Sequence, residues 1–449
     1  MSRYWCELAW VGGERATPGV LIEVAGDRIA SVVTGVDCPS DATRLSGLTL
    51  PGLANAHSHA FHRALRGRTQ VGSGSFWTWR DVVYAASSKL QPDTYFRLAR
   101  AVYGEMALAG ITTVGEFHYL HHDVGGVGYS NPNAMGAALV AAAAEAGIRI
   151  TLLDCCYMHG GLRAGGHTEL NEAQRRFSDG SVDKWVQRAD GAAALKSPTC
   201  RVGAAVHSVR AVDAASIEQV AAWATSRNVP LHAHVSEQQA ENEQCIAAYG
   251  LTPTALLGEH GAIGRSFTAV HATHLAGADF GWLGRAQCTV CLCPTTERDL
   301  ADGIGSALAL RNEGARLAVG SDSQAVIDLF VEARGIELHE RLATHVRGSH
   351  NAPSLLTAAC ANGQQSLGWQ DAGELVVGRL ADFITLRLDS VRTAGSPASS
   401  ALEAAVFAGA AADVHHSVVG GEVIVVDGHH VRLDVARELH STITELMDA

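Results

Sequence analysis

Eight short β-branched runs recur through the middle of this 449-residue chain, at residues 50–55, 111–117, 149–153, 201–207, 230–234, 267–271, 288–293 and 317–322. Longer helix-compatible stretches, several of them Ala-rich, separate most of them, as at residues 94–109 and 217–227. A strand that must cross back through a helix before the next strand starts lies parallel to its neighbour. Eight β-then-α units therefore predict a TIM-like (β/α)8 barrel of the α/β class.

One barrel does not use the whole chain. Single cores stop growing at roughly 250–300 residues, so a second unit is expected. Residues 20–24 and 29–33 flank Gly26 and read as a hairpin, and residues 382–386 and 421–428 repeat that texture near the other end. Strands divided in this way predict a small β-sandwich domain made from both chain ends. Residues 1–49 and 375–449 would supply it, with the barrel at 50–374 inserted between them.

The formal charge is −12, from 34 basic and 46 acidic side chains. Nucleic acid and anionic membrane surfaces both need clustered Lys and Arg, so neither is expected as a partner. A small anionic ligand needs only one or two local arginines. The start, Met1-Ser2-Arg3-Tyr4-Trp5-Cys6, lacks a basic segment followed by an apolar run. The most apolar helical stretch, Ala134–Ala146, is too short to span a bilayer and carries Glu145. A cytoplasmic protein is expected, with its ten cysteines as buried reduced thiols. Cys288 and Cys291 form a CxxC without the second pair that a four-thiolate zinc site requires.

Polar residues gather at the C-terminal ends of the expected strands, the end of a barrel that carries active sites. They are His57-Ser58-His59, His232-Ala233-His234-Val235-Ser236-Glu237, His271-Ala272-Thr273-His274 and Gly320-Ser321-Asp322-Ser323. Residues i and i+2 of an extended segment point the same way, so both rings of His57 and His59 can reach one ion. Histidine and carboxylate donors suit Zn²⁺, and three or four of them leave a position for water. A free-standing cytidine-deaminase site uses HxE and PCxxC motifs. Here Gln287, not Pro, precedes Cys288. A non-catalytic barrel scaffold would be free to lose this set, and the set is intact.

The segment Pro51 to His59, the spacing from His234 to Glu237, His271, and Ser321-Asp322 resemble the amidohydrolase superfamily, in particular its mononuclear deaminases. The resemblance spans nearly the whole chain. It implies one Zn²⁺ per subunit held by His57, His59, His234 and Asp322, with Glu237, His271 and Asp322 acting on the attacking water. Three strings carry a narrower likeness: Gly74 to Asp81, Glu116 to Asp123, and His207 to Ala211. They resemble the formimidoylglutamate deiminase family of histidine degradation. That likeness implies hydrolysis of the small molecule N-formimidoyl-L-glutamate to N-formyl-L-glutamate and ammonia. It also implies a homodimer. Tyr119, His207 and Arg210 would contact substrate, and Arg80 would lie on a loop reaching the neighbouring subunit's site. Glu237 would carry a proton from the nucleophile to the departing nitrogen.

Two positions depart from the family pattern: His62 where Gln is usual, and Gln324 where His is usual. If His62 meets the formimidoyl nitrogen, its protonation would alter the pH profile. The aromatic residues Trp77, Trp79 and Phe117 are expected to pack at the barrel top. The alternative within the same superfamily is a deaminase of a purine, pyrimidine or imidazolone ring, with the same metal site and a different pocket.

Overall fold

A computed structural model describes residues 1–70 and 76–448, and each of the eight runs forms a strand in it. In barrel order they are β1 (Leu53–Ser58), β2 (Ile111–His118), β3 (Arg149–Cys156), β4 (Cys200–Val206), β5 (Leu231–Val235), β6 (Phe267–His271), β7 (Thr289–Leu292) and β8 (Arg316–Val319). Each pairs in parallel with the next in sequence. Helices such as Pro92–Leu108, Ala134–Ala146 and Ala214–Arg227 return the chain between them. The first run divides at Gly52, where a Cβ would collide with the Thr112 side chain. Residues before it, Thr43–Pro51, join the other sheet.

Closure occurs just beyond the ends of β1 and β8. Ser58 and Asp322 form a parallel bridge. The Asp322 N–H donates to the His57 carbonyl at 3.0 Å, and the His59 N–H donates to the Asp322 carbonyl at 3.3 Å. A Cβ on Gly320 would strike His57 backbone and side chain within 3 Å, so this seam needs a glycine.

The two chain ends form the small β unit expected of them, an eight-stranded hydrogen-bonded sheet separate from the barrel sheet. Its order is His429–His430, Glu422–Val426, Val414–Val419, Phe383–Leu386, Thr43–Pro51, Ser2–Ala9, Thr17–Ala25 and Arg28–Val33. The N- and C-terminal halves meet where Phe383–Leu386 pairs antiparallel with Thr43–Pro51. Tyr4, Ile22, Leu45, Phe383 and Val418 belong to a small core of its own, with the Tyr4 ring edge-on to Phe383 at 5.1 Å. The C-terminal segment is not β throughout. Its last helix, Val435–Asp448, lies along the barrel helix Pro92–Leu108, where Arg97 meets Glu445 at 2.6 Å and Arg100 meets Glu438 at 3.0 Å. All ten cysteines are free thiols and nine are buried, as expected. No helix among the described residues is long and apolar enough to cross a membrane.

One buried ion pair ties the two units together. Arg149, at the start of β3, donates to both carboxylate oxygens of Asp382 at 2.7 and 3.1 Å, with both side chains almost sealed from solvent. Asp382 also accepts the Gly420 N–H at 2.6 Å. A bidentate geometry with a further donor is the case in which a buried pair offsets its desolvation. Asp382→Ala leaves the guanidinium buried without its carboxylate. We expect a loss of about 3–5 kcal/mol in urea denaturation. An unchanged unfolding midpoint would contradict a clamp at this position.

Candidate functional site

His57 lies near the end of β1 and His59 just after it, His234 lies in β5, and Asp322 follows β8 across the seam. One donor atom from each comes within 4.8 Å of the others, and all four residues are buried. The Nε2 atoms of His57 and His59 lie 3.2 and 3.4 Å from the same Asp322 oxygen. The His234 and His57 Nε2 atoms are 3.1 Å apart.

Two of the three rings have fixed tautomers. His59 Nδ1 lies 3.0 Å from the Phe117 carbonyl, and His234 Nδ1 lies 2.8 Å from the His207 carbonyl. A carbonyl only accepts, so each Nδ1 must carry the hydrogen. Their Nε2 lone pairs then point at the common centre beside a carboxylate. Lone pairs and an anion directed at one point repel unless a cation lies among them, so this donor set fits a divalent ion. Burial pushes the pKa of His59 and His234 well below the usual histidine range, which keeps the ligating neutral form. Burial opposes the Asp322 carboxylate, but the His57 hydrogen bond and neighbouring rings hold its pKa far below the usual range.

Backbone strain concentrates around this centre. Ser236, His271, Ala272, Asp322 and Gln324 are non-glycine residues with φ between 42° and 67°. Each left-handed residue of this kind costs on the order of 1–3 kcal/mol and persists only where its surroundings fix it. Here the strand-end turns aim His271 and Asp322 inward.

A cavity opens above the four donors. Its wall includes His62, Trp79, Arg80, Tyr119, His207, Arg210, Glu237, His271 and Asp322, so every expected substrate-binding and catalytic residue lines it. Glu237 accepts from Arg210 Nη2 at 3.1 Å, and its other oxygen lies 3.8 Å from His271 Nε2. His271 is enclosed by carboxylates: Glu237 and Asp322 at 3.8 Å, and Glu297 at 3.6 Å from Nδ1. Burial disfavours its charge, yet these three acids raise its pKa well above the histidine norm. The arrangement places a proton-carrying imidazole and a carboxylate on either side of the space facing the metal-binding group.

Several sequence expectations change. Arg80 lies on the helix Phe76–Ser87, not on a loop, and lines the cavity of its own chain with its guanidinium over the Tyr84 ring. Gly74 and Ser75 of the string that carried it, and the Trp77 side chain, lie outside the described residues. Phe117 packs as expected, its ring 4.5 Å from that of His234. Trp79 instead lines the cavity, edge-on to His62 at 5.2 Å. His62 donates to or accepts from the Tyr119 hydroxyl at 3.1 Å, and burial pushes its pKa down to about 3. Gln324 is fully buried outside the cavity wall. It donates to Ser58 Oγ at 2.8 Å and accepts from Ser321 Oγ at 2.8 Å. His232 is a core histidine, spending Nε2 on the Ser366 carbonyl at 3.0 Å. His274 likewise bonds the Asp302 carbonyl at 2.7 Å.

Sequence reasoning missed the acids that support the site. Glu241 accepts the Glu237 N–H at 3.2 Å and lies 3.7 Å from Arg210 Nε. Its spacing of four residues from Glu237 was the one available signal. Glu116 accepts from Ser58 Oγ at 2.9 Å and from the Ala60 N–H at 2.7 Å, which fixes the turn carrying His57 and His59. Arg163, on the hairpin Gly161–Arg163 and Gly166–Thr168, also joins the cavity wall.

Comparison with known proteins shows the family of the chain. Residues 48–424 match the model of the amidohydrolase family. A formimidoylglutamate deiminase from Pseudomonas aeruginosa is 36% identical over 442 residues, covering 96% of each chain. A 5-methylthioadenosine/S-adenosylhomocysteine deaminase from Natronomonas pharaonis is 27% identical over 450 residues, covering 97% of each. The crystal structure of an amidohydrolase from Brucella melitensis superposes with a TM-score of 0.92 at 32% identity over the full length of both chains.

The convergence of Nε2 atoms gives a direct expectation. His234→Ala should lose the divalent ion that wild-type protein retains through dialysis against metal-free buffer, as read by elemental analysis. Equal retention by variant and wild type would place the ion elsewhere.

Proposed function

The chain belongs to the amidohydrolase family, and we propose that it hydrolyses N-formimidoyl-L-glutamate to N-formyl-L-glutamate and ammonia, as a step in histidine degradation. The substrate is the one named for the Pseudomonas aeruginosa relative. The observation that carries it is the cavity wall, where Arg80, Arg163 and Arg210 surround the approach to the His/Asp group. Arginine binds carboxylates bidentately, and a glutamate moiety brings two of them. A neutral purine or pyrimidine ring offers these arginines no carboxylate to bind.

In this reading His57, His59, His234 and Asp322 hold one Zn²⁺ per subunit. When bound, the ion lowers the pKa of water towards about 7 and so supplies a nucleophile near neutral pH. The remaining work belongs to the side chains. Tyr119, His207, Arg210 and Arg80 orient the substrate, and the Tyr119 hydroxyl is aligned by His62. Arg210 has five N–H donors in one plane, enough to hold Glu237 and meet a substrate carboxylate together. His271 and the free oxygen of Asp322 orient the attacking water. Glu237 takes a proton from the water as it adds to the formimidoyl carbon. It delivers that proton to the terminal nitrogen, then relays the second water proton, from the new hydroxyl as the carbonyl forms, to the same nitrogen, whose bond to carbon breaks as ammonia leaves. The Arg210 contact fixes one Glu237 oxygen, so the other, beside His271, is the one that moves the proton. A homodimer working in the cytoplasm completes the reading.

Ammonia release from N-formimidoyl-L-glutamate by zinc-loaded protein tests it, with N-formimidoyl-L-aspartate and guanine alongside. We expect preferred turnover of the glutamate compound, and a fall of about 10²–10⁴ in kcat for Glu237→Gln with zinc retained. Turnover of guanine alone, or near-wild-type rates in Glu237→Gln, would overturn the assignment. Burial holds the His62 pKa down to about 3, so its ring is neutral near pH 7. His62→Gln is therefore expected to leave the shape of the pH–rate curve unchanged. A displaced acid limb would show that His62 titrates during turnover.

A further inference from the structure

Far from the barrel mouth, on the sheet made from the chain ends, three donor residues converge. We propose that His415, His416 and Asp427 form a second site, on the surface, for a divalent transition-metal ion.

Neighbouring residues of a regular strand point to opposite faces, so adjacent histidines do not ordinarily meet. Here the ladder slips. Thr385 pairs with His416 and Leu386 with Val414, which leaves His415 as the extra residue of a β-bulge. A bulge re-aims a side chain, and the two rings come to 4.4 Å between centroids at 70°. Asp427 arrives from the next hairpin. Val426 pairs with His416 on one side and with His429 on the other, so the two-residue turn Asp427-Gly428 starts beside the histidines. Both turn residues are left-handed, with φ of 50° and 74°, the geometry of a tight primed turn.

One ring nitrogen of each histidine and one oxygen of Asp427 lie within 4.8 Å of one another. His415 Nδ1 is 4.0 Å from Asp427 Oδ1. The tautomer of His415 is set as a ligand needs it. Its Nε2 lies 3.0 Å from the Ser46 carbonyl, which only accepts, so Nδ1 keeps its lone pair on the Asp427 side. His416 Nδ1 is buried without a hydrogen-bond partner among the described residues. Burial and the nearby His415 keep His416 in the neutral form. The Asp427 side chain is 80% exposed and can swing. Metal–ligand bonds of about 2.0–2.1 Å place tetrahedral donors about 3.3–3.5 Å apart, so the closure required is small. The nearby Arg387 is engaged by Asp389 at 2.9 Å.

Two imidazoles and a carboxylate, with water completing the shell, select Zn²⁺, Ni²⁺ or Cu²⁺ over Mg²⁺ or Ca²⁺. Such an ion would pin the strand Val414–Val419 to the 427–428 turn at the outer end of the sheet. The site shares no residue with the catalytic reading and does not depend on it.

The test uses full-length protein with its barrel-top site filled, dialysed to equilibrium against Zn²⁺ and, separately, Ni²⁺. Metal per chain is then counted for wild type, Asp427→Asn and His415→Ala. Asparagine tolerates a left-handed backbone, so Asp427→Asn keeps the turn. We expect wild type to bind one equivalent more than either variant, and all three to release ammonia at the same rate. Equal metal content in wild type and both variants overturns the proposal.

Discussion

The barrel closes through the same residues that converge on the centre. Asp322 bridges to Ser58, its N–H bonds the His57 carbonyl, and its carbonyl accepts from His59. The side chains of those three neighbours, His57, His59 and Asp322, supply three of the four converging donors. Closing an eight-stranded sheet fixes strand register, and register at this seam sets where the donors stand. The positive φ of Asp322 is stable there because backbone hydrogen bonds on both sides determine it.

Around that seam the polar residues fall into two layers with different work. Beneath the donors, Asn55, Ser321, Gln324, Ser58 and Glu116 form a buried hydrogen-bonded chain that holds the turn of β1 against the end of β8. Burial raises the Glu116 carboxyl to about 7, while the Ala60 N–H and Ser58 hydroxyl favour its charged form. Above the donors, charge is balanced pair by pair: Arg210 between Glu237 and Glu241, and His271 among Glu237, Glu297 and Asp322. In a low-dielectric cavity these contacts leave each group few alternative positions, which suits proton transfer over short distances.

Much of this was legible from the sequence because it depends on local period. Eight β-branched runs separated by helical stretches specified the barrel, and the two-residue spacing of His57 and His59 placed both rings on one side. His234 and Asp322 were legible as strand-end residues. His232 obeys the same spacing from His234, yet a carbonyl from residue 366 captures its ring, and no local pattern announces a partner so distant. Glu116, Glu241 and Glu297 matter because of what they approach across the fold. Gln324 resembled a pocket substitution only while the depth of its side chain was unknown. The loop expected for Arg80 came from the family likeness alone, and in the fold its segment is a helix. The bulge at His415 leaves no sequence signal, since it arises from pairing with Thr385 and Leu386.

The claim on which the rest turns is that water adds to a formimidoyl carbon at this centre and ammonia departs. Turnover of N-formimidoyl-L-glutamate in ¹⁸O-enriched water, with products identified by mass spectrometry and NMR, reads that step directly. The account predicts N-formyl-L-glutamate with the heavy oxygen in its formyl group, together with free ammonia. Release of glutamate and formamide would mean that the other carbon–nitrogen bond breaks, and would contradict proton delivery by Glu237 to the terminal nitrogen.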